Sequence, residues 1–459
     1  MRDGDFERSS ATGPHSIVLR GWAILALVAL ALSGLALLMP AFSKMPGLDR
    51  AFDWPADFFQ KGLVAHVALS FHVWFLAVIA LIALTALRLP DARDPVLAGR
   101  VGLALAALGT VAVAAAPFSG GAPSLNNYVP TIIHPLYFAG LGCVAAGALM
   151  PVVQMLPRLV GTTEAGSSGE RAALLALGLL YIAALAAIAA AAHQLDAPPV
   201  DYDTIERLFW GGGHVLQFVN VALLLVVLER LGRIAIAGSA VGERPAVWAA
   251  GLLFLAGAGG LAIYGLTDIR GEAHLRAFTD LQYAFALPVL IVAAGALRAR
   301  RRWRMTQDRV AATAAALAAL VFLIGCALGL FVDGADTRTP AHYHGVIGGI
   351  NIALYGLFYR EVLPSLGAHG RGKLAPKQRL ALAQIIVYAL GQTLFVAGLF
   401  LAGGMGAARK SMGAGLEGGG AAQLIALALR DVGLLLAVLA SATFIVVALV
   451  ALLRKPDRS

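Results

Sequence analysis

The stretch Ala341-His342-Tyr343-His344-Gly345-Val346-Ile347-Gly348-Gly349 opens an apolar segment that runs on to about residue 362, and it sets two imidazoles two positions apart. Residues two apart on an α-helix are rotated by roughly 200° about its axis, so the two rings face opposite sides of one helix. What such a helix is for depends on whether the rest of the chain places it in water or in a bilayer.

The surrounding sequence answers that. Of its 459 residues 59% are hydrophobic and only 13% charged, against about a quarter charged in a soluble domain. Runs of 18 or more apolar residues recur from end to end, each long enough to cross a hydrocarbon core as a helix whose backbone polar groups bond internally. Twelve are predicted, near 21–42, 62–87, 97–117, 131–153, 172–193, 208–229, 246–266, 278–297, 310–332, 341–362, 380–403 and 431–453. The expected organisation is a polar tail over 1–20, one twelve-helix transmembrane domain over 21–453 and a short tail over 454–459. The first apolar run is long and follows a polar tail, which argues against a cleavable signal peptide.

Lys and Arg collect in the loops that stay cytoplasmic. With the N-terminus inside, most of the 35 Lys and Arg residues, including the cluster from Arg298 to Arg309, fall on the inner side. Both termini are therefore expected in the cytoplasm of a bacterial inner membrane. The net charge of +9 is then topological, not a sign of nucleic-acid binding. Cys143 and Cys326 lie within apolar spans and read as small buried thiols. The Gly- and Ala-rich outer loop at 402–421 reads as flexible.

Ionisable groups inside a membrane are costly and mark function. His66, His134, His214, His342 and His344 all fall in the outer part of even-numbered spans, and His274 lies in the loop entering the eighth. Neutral imidazole is a common ligand of heme iron and of copper. A heme held by two histidines needs a partner for His344 at matching depth. His66 follows Lys61 by five residues as His344 follows Arg338 by six, whereas His72 would lie roughly 9 Å deeper. His66 is preferred, and His72 is read as core. In Trp210-Gly211-Gly212-Gly213-His214-Val215-Leu216-Gln217-Phe218 the three glycines allow a helix or a flat ring to approach, which suits a second metal near a heme. Gln217, three residues on, shares the face of His214 and is a candidate to orient it or a bound molecule. His134, in Asn126-Asn127-Tyr128-Val129-Pro130-Thr131-Ile132-Ile133-His134, reads as a structural hydrogen bonder.

These residues resemble the catalytic subunit I of the heme-copper oxidase superfamily, which includes cytochrome oxidases and nitric oxide reductases. The stretch from Ala341 to Gly349 is similar to its tenth-helix His-x-His, whose first His holds a high-spin heme and second a low-spin heme. The stretch from His66 to Phe75 is similar to the second-helix segment of nitric oxide reductases, and that from Trp210 to Phe218 to the sixth-helix segment whose His binds a non-heme metal. The resemblance runs through all twelve helices in order. It implies an all-α bundle with two b-type hemes, the low-spin one on His66 and His344 and the high-spin one on His342, and non-heme iron or copper near His214.

The chain departs from that pattern in three places. The family's His-His pair about fifty residues after the sixth-helix His is missing. Tyr264, Asp268 and His274 are the nearest replacements, giving an expected metal set of His214, His274 and Asp268, with His214, Tyr264 and Gln217 as catalytic candidates. Position 218 is Phe where many proton-pumping oxidases have Tyr. No Lys, Asp or Glu lies near the middle of any span, since Glu229, Asp280, Glu361 and Asp431 sit at span ends.

The expected activity is reduction of nitric oxide, because the protons for turning two NO into N2O can come from outside; oxygen reduction is the close alternative. A heme protein without turnover, acting as gas sensor, electron-transfer or assembly subunit, is the alternative of another class, favoured by the missing His pair. A transporter is disfavoured, since the halves show no internal repeat. The chain has no Cys-x-x-Cys-His, so the electron donor is expected to be a separate subunit with a cytochrome c or cupredoxin domain on the outer face.

Overall fold

Among the described residues, twelve helices of 23 to 35 residues are long and apolar enough to cross a bilayer. They are α1 (Pro14–Ala36), α2 (Phe58–Ala86), α3 (Val96–Phe118), α4 (Pro135–Gly161), α5 (Ser168–Leu195), α6 (Tyr202–Ile236), α7 (Glu243–Leu266), α8 (Glu272–Trp303), α9 (Arg309–Phe331), α10 (Arg338–Ser365), α11 (Gln378–Gly404) and α12 (Ala421–Leu453). Each falls on one of the twelve expected spans. The computed structural model describes residues 14–38, 57–87, 93–161, 166–196, 198, 200–332, 334, 336–367, 378–409 and 420–454. Most of the N-terminal tail, the C-terminal tail beyond Arg454 and the middle of the 402–421 loop lie outside them. The first helix starts at Pro14, seven residues before the predicted boundary at 21, because Ile17, Val18 and Leu19 continue its apolar pattern past Arg20.

The chain divides into two compact units, one of residues 1–226 and 241–299, the other of 227–240 and 300–459. In the first, α1 packs on α2 and α3, α3 on α4, α2 on α4, and α5 on α4 and α7. Between α3 and α4 the chain makes a short antiparallel hairpin, β1 (Ala122–Ser124) with β2 (Thr131–Ile133), in the register Ala122 to Ile133 and Ser124 to Thr131. In the second unit α9 packs on α10 and α11, α10 on α11, and α11 on α12.

In a bilayer the force between helices comes from close packing and hydrogen bonds, so small residues line the contacts. A Cβ on Gly102 would stand 2.5 Å from the carbonyl of Gly147, and one on Gly109 the same distance from that of Gly140, which lets α3 and α4 touch backbone to backbone. Gly325 and Gly345 do the same between α9 and α10, and Gly391 and Gly433 between α11 and α12. Large apolar side chains such as Leu255, Leu290 and Leu435 are left on outer faces.

Two helices widen into π turns, α2 over Ala68–Val73 and α10 over Phe358–Val362. Such turns frequently mark functional positions. The first follows His66 and contains His72. The second contains Glu361, which with Arg230 forms a buried ion pair at 2.8 Å.

Candidate heme and gas site

His66 lies on α2 where α1 crosses it. Its Nδ1 is 2.8 Å from the hydroxyl of Ser33 and 3.1 Å from the Ser33 carbonyl. The Ser33 hydroxyl donates to the carbonyl of His66 at 3.1 Å, as does Ser70 at 2.7 Å, so the imidazole proton sits on Nδ1 and points at Ser33. Nε2 keeps its lone pair.

His342 is held the same way in the other unit. Its Nδ1–H donates to the carbonyl of Gly325 at 2.8 Å. Gly329 leaves room for the ring, since a Cβ there would stand 2.8 Å from Nδ1. Again Nε2 carries the lone pair. His344 is half-buried, with its ring edge-on to Phe395 on α11 at 4.9 Å and tilted against Tyr343 at the same distance.

His214, on α6, is only 1% exposed. Its Nδ1–H donates to the carbonyl of Trp210 at 2.7 Å, one turn back, which fixes the tautomer. Its Nε2 faces the hydroxyl of Tyr128 at 2.9 Å, from the loop after β1. Burial first, and then the charge of Glu206, push the Tyr128 pKa up, so that hydroxyl stays protonated and donates to the imidazole. The loop is anchored by Glu206, a buried carboxylate near the start of α6. It accepts at 3.0 Å from both the Asn126 amide and the Asn127 backbone N–H, and also from the Asn127 side chain. Trp210 closes the other side, edge-on to Tyr128 at 5.5 Å.

The three glycines before His214 give the close approach expected of them. A Cβ on Gly211 would collide with the Tyr264 hydroxyl and Phe278, one on Gly212 with Ile188 of α5, and one on Gly213 with Tyr128. Tyr264 and His274 are thereby brought near, each ring against Phe278, which itself lies 5.8 Å from the ring of His214. Thr267 donates its hydroxyl to Ile263 and accepts from His274 Nδ1 at 2.9 Å. The Nε2 of His274 and the hydroxyl of Tyr264 are both buried without a hydrogen-bond partner.

Two expectations need correction. His214, His274 and Asp268 do not form a metal cage: Asp268 is exposed and accepts from the Arg270 backbone, and no group of three or more His, Cys, Asp or Glu side chains gathers among the described residues. The reason is that Gly271 starts a new helical segment, which carries His274 inward and leaves Asp268 on the turn. Nor does Gln217 orient His214; both ring nitrogens are taken by Trp210 and Tyr128. His134 accepts at Nδ1 from the Leu136 backbone at the start of α4, the structural role foreseen for it. Sequence reasoning missed Tyr128, Glu206 and Ser33. Only the adjacent polar pair Asn126-Asn127 in an apolar surrounding signalled that loop.

Residues 17–428 match the family model for cytochrome c and quinol oxidase polypeptide I. The chain belongs to this family. Its fold matches a solved heme-copper terminal oxidase dimer with a TM-score of 0.74 and 17% identity, over 98% of this chain and 86% of that one. An uncharacterized protein of Aquifex aeolicus (strain VF5) is 25% identical over 345 residues, 74% of this chain and 83% of that protein. Another of Rickettsia prowazekii (strain Madrid E) is 22% identical, over 86% and 89% of the two chains.

Members of this oxidase family bind hemes and a copper or other metal, and the residues here fit the two groups unequally. An axial imidazole needs a fixed ring with its second nitrogen tied to an outer acceptor. His66 and His342 meet that condition through Ser33 and Gly325. The three-imidazole metal cage is not met among the described residues, because Tyr128 occupies His214 Nε2 and no group of three such ligands gathers there.

Proposed function

We propose that this chain is the heme-bearing subunit of a membrane reductase of a small diatomic gas, with nitric oxide as substrate and oxygen as the second reading. His66 and His344 would hold a low-spin b-type heme and His342 a high-spin one; bound there, heme would relay the electrons of a separate donor and offer an open coordination position for the gas. Tyr128 and His214 offer a hydrogen-bonded O–H in a buried pocket, a preorganised dipole of the kind that stabilises developing charge. The observation that carries the reading is the same hydrogen-bonded tautomer at His66 and at His342, each fixed within its own unit. Both Nδ1 protons are spent on fixed acceptors, so both Nε2 lone pairs are left free for iron.

Nitric oxide is preferred because the middle of the spans holds no Lys, Asp or Glu, and NO reduction tolerates protons drawn from outside. The positive-inside count supports an inner-membrane protein with both termini cytoplasmic, served by a separate donor subunit with a cytochrome c or cupredoxin domain on the outer face. Protein purified from its native membrane is expected to carry two hemes per chain, one of them six-coordinate, and to consume NO with a reducing donor. Heme-free protein, or hemes retained unchanged when His66 and His344 are both replaced by Ala, overturns the reading. NO and O2 consumption measured side by side separates the two substrates.

A further inference from the structure

The last turns of α8 read Arg298-Ala299-Arg300-Arg301-Arg302-Trp303-Arg304, and with Arg309 this short stretch carries six arginines and one acid, Asp308. All six are exposed, and among the described residues none of them meets a carboxylate. Asp308 is not their counterion: it is buried, pairs with Arg360 and caps α9 by accepting from the Ala311 backbone at 2.9 Å. The charge is held in place. Trp303 Nε1 donates to the Ala240 carbonyl at 3.2 Å, while the Gln307 backbone N–H and the Thr306 hydroxyl donate to the Ala235 carbonyl at 2.9 and 3.1 Å. These bonds pin the arginine turn to the end of α6.

The helix dipole and the topology rule both favour some cations at such an end. They do not account for the crowding. Arg298 and Arg302, and likewise Arg300 and Arg304, stand four residues apart as like-charge neighbours, an arrangement that weakens a helix until an anion joins it. The rest of α8 indicates which anion. Only 11% of its apolar stretch is buried, and Leu290, Leu297, Arg301 and Arg304 follow one another at spacings of seven, four and three residues along one helical face. Both leucines are exposed. An apolar stripe that runs into guanidinium groups matches a molecule with acyl chains at one end and a phosphate at the other, since the guanidinium fork binds phosphate oxygens in pairs.

We propose that the arginine turn ending α8 is the headgroup site of an anionic phospholipid, whose acyl chains lie along the exposed leucines of the same helix. A soluble polyanion would use the arginines and leave the leucine stripe uncovered, whereas a lipid uses both. The positive-inside count expects this turn on the cytoplasmic side, where anionic headgroups attract basic residues that adjoin a spanning helix. Each arginine near such a surface strengthens binding about fivefold, so several in one turn make a lasting site. The site needs neither heme nor turnover, and its failure would leave the reductase reading untouched.

The test uses the full chain in detergent, with phosphatidylglycerol or phosphatidylcholine of the same acyl chains added in turn and the retained lipid counted by native mass spectrometry. Phosphatidylglycerol is expected to stay bound and phosphatidylcholine to be lost. Arg300→Gln, Arg301→Gln and Arg304→Gln together should weaken phosphatidylglycerol binding about a hundredfold, at an unchanged thermal midpoint because all three side chains are exposed. A control variant, Arg100→Gln with Arg276→Gln, removes two exposed cations elsewhere and should bind phosphatidylglycerol as the unsubstituted chain does. Equal retention of the two lipids, undiminished affinity in the triple variant, or the same loss in the control overturns the site. Tighter binding of a duplex oligonucleotide than of phosphatidylglycerol also overturns it, and would assign the arginines to nucleic acid.

Discussion

The contact of α9 with α10 makes Gly325→Ala a sharp test of how His342 is held. A Cβ on Gly325 would press on the backbone of Val346 and stand 2.6 Å from the carbonyl carbon of Gly345. Both neighbours are main chain and cannot turn aside. An ordinary contact needs 3.4 Å or more, so the helices must part by about 0.8 Å. The bond from His342 Nδ1 to the Gly325 carbonyl, now 2.8 Å, would stretch to about 3.6 Å, past the hydrogen-bond range. Overpacking of this kind costs about 1–3 kcal/mol, and losing an outer partner of a metal-bound histidine costs about 10–100-fold in affinity. The Gly325→Ala protein is expected to fold but to lose most of its CO-reactive high-spin heme while keeping the six-coordinate one. Pyridine hemochrome content and the CO difference spectrum measure this, with Cys326→Ala, on a neighbouring half-buried face, as a control expected to retain both. Full CO-reactive heme in Gly325→Ala would show that the Nδ1 bond does not hold His342.

Four further outcomes follow from the same geometry. Ser33→Ala keeps the backbone acceptor of His66, so it should retain the low-spin heme with a shifted potential, whereas His66→Ala should lose its bands; redox titration distinguishes them. Tyr128→Phe removes the donor to His214 Nε2 and should lower stability by about 1 kcal/mol and slow gas reduction, with heme content unchanged. Replacing Glu361 by Gln removes the carboxylate that the buried Arg230 meets at 2.8 Å and should lower stability by about 1–3 kcal/mol, read as a lower thermal midpoint in detergent. The Arg338 guanidinium holds the Asp336 carboxyl below its ordinary range. That contribution is complete above the unfolded carboxylate pKa and is lost as pH falls through the lower folded value. Hydrogen exchange at the Thr337 amide, which bonds the Ala407 carbonyl at 3.0 Å, should rise over that acidic window, and in Asp336→Asn at neutral pH.

The sequence by itself determined the twelve spans, their order and the histidines available to iron. Apolar length and helical rotation are local properties, and a bilayer enforces them because an unsatisfied backbone cannot stay in hydrocarbon. The pair His342 and His344 could be assigned to opposite faces of one helix from spacing alone, and the glycines before His214 announced a close approach. Which groups would make that approach was not legible. The partners that fix the rings lie far along the chain: Ser33 is 33 residues from His66, Gly325 17 from His342, and Tyr128 86 from His214. Gln217 had the right helical face for His214 and lost it to Tyr128, since Glu206 ties the Asn126-Asn127 loop onto α6 and delivers a better-placed hydroxyl. His72 reads as core by its depth, and the structure places it on the π turn of α2, beside a cleft lined almost wholly by apolar side chains. Hydropathy records which residues leave water, but hydrogen-bond geometry depends on which helices meet and at what height, and that is decided by tertiary packing.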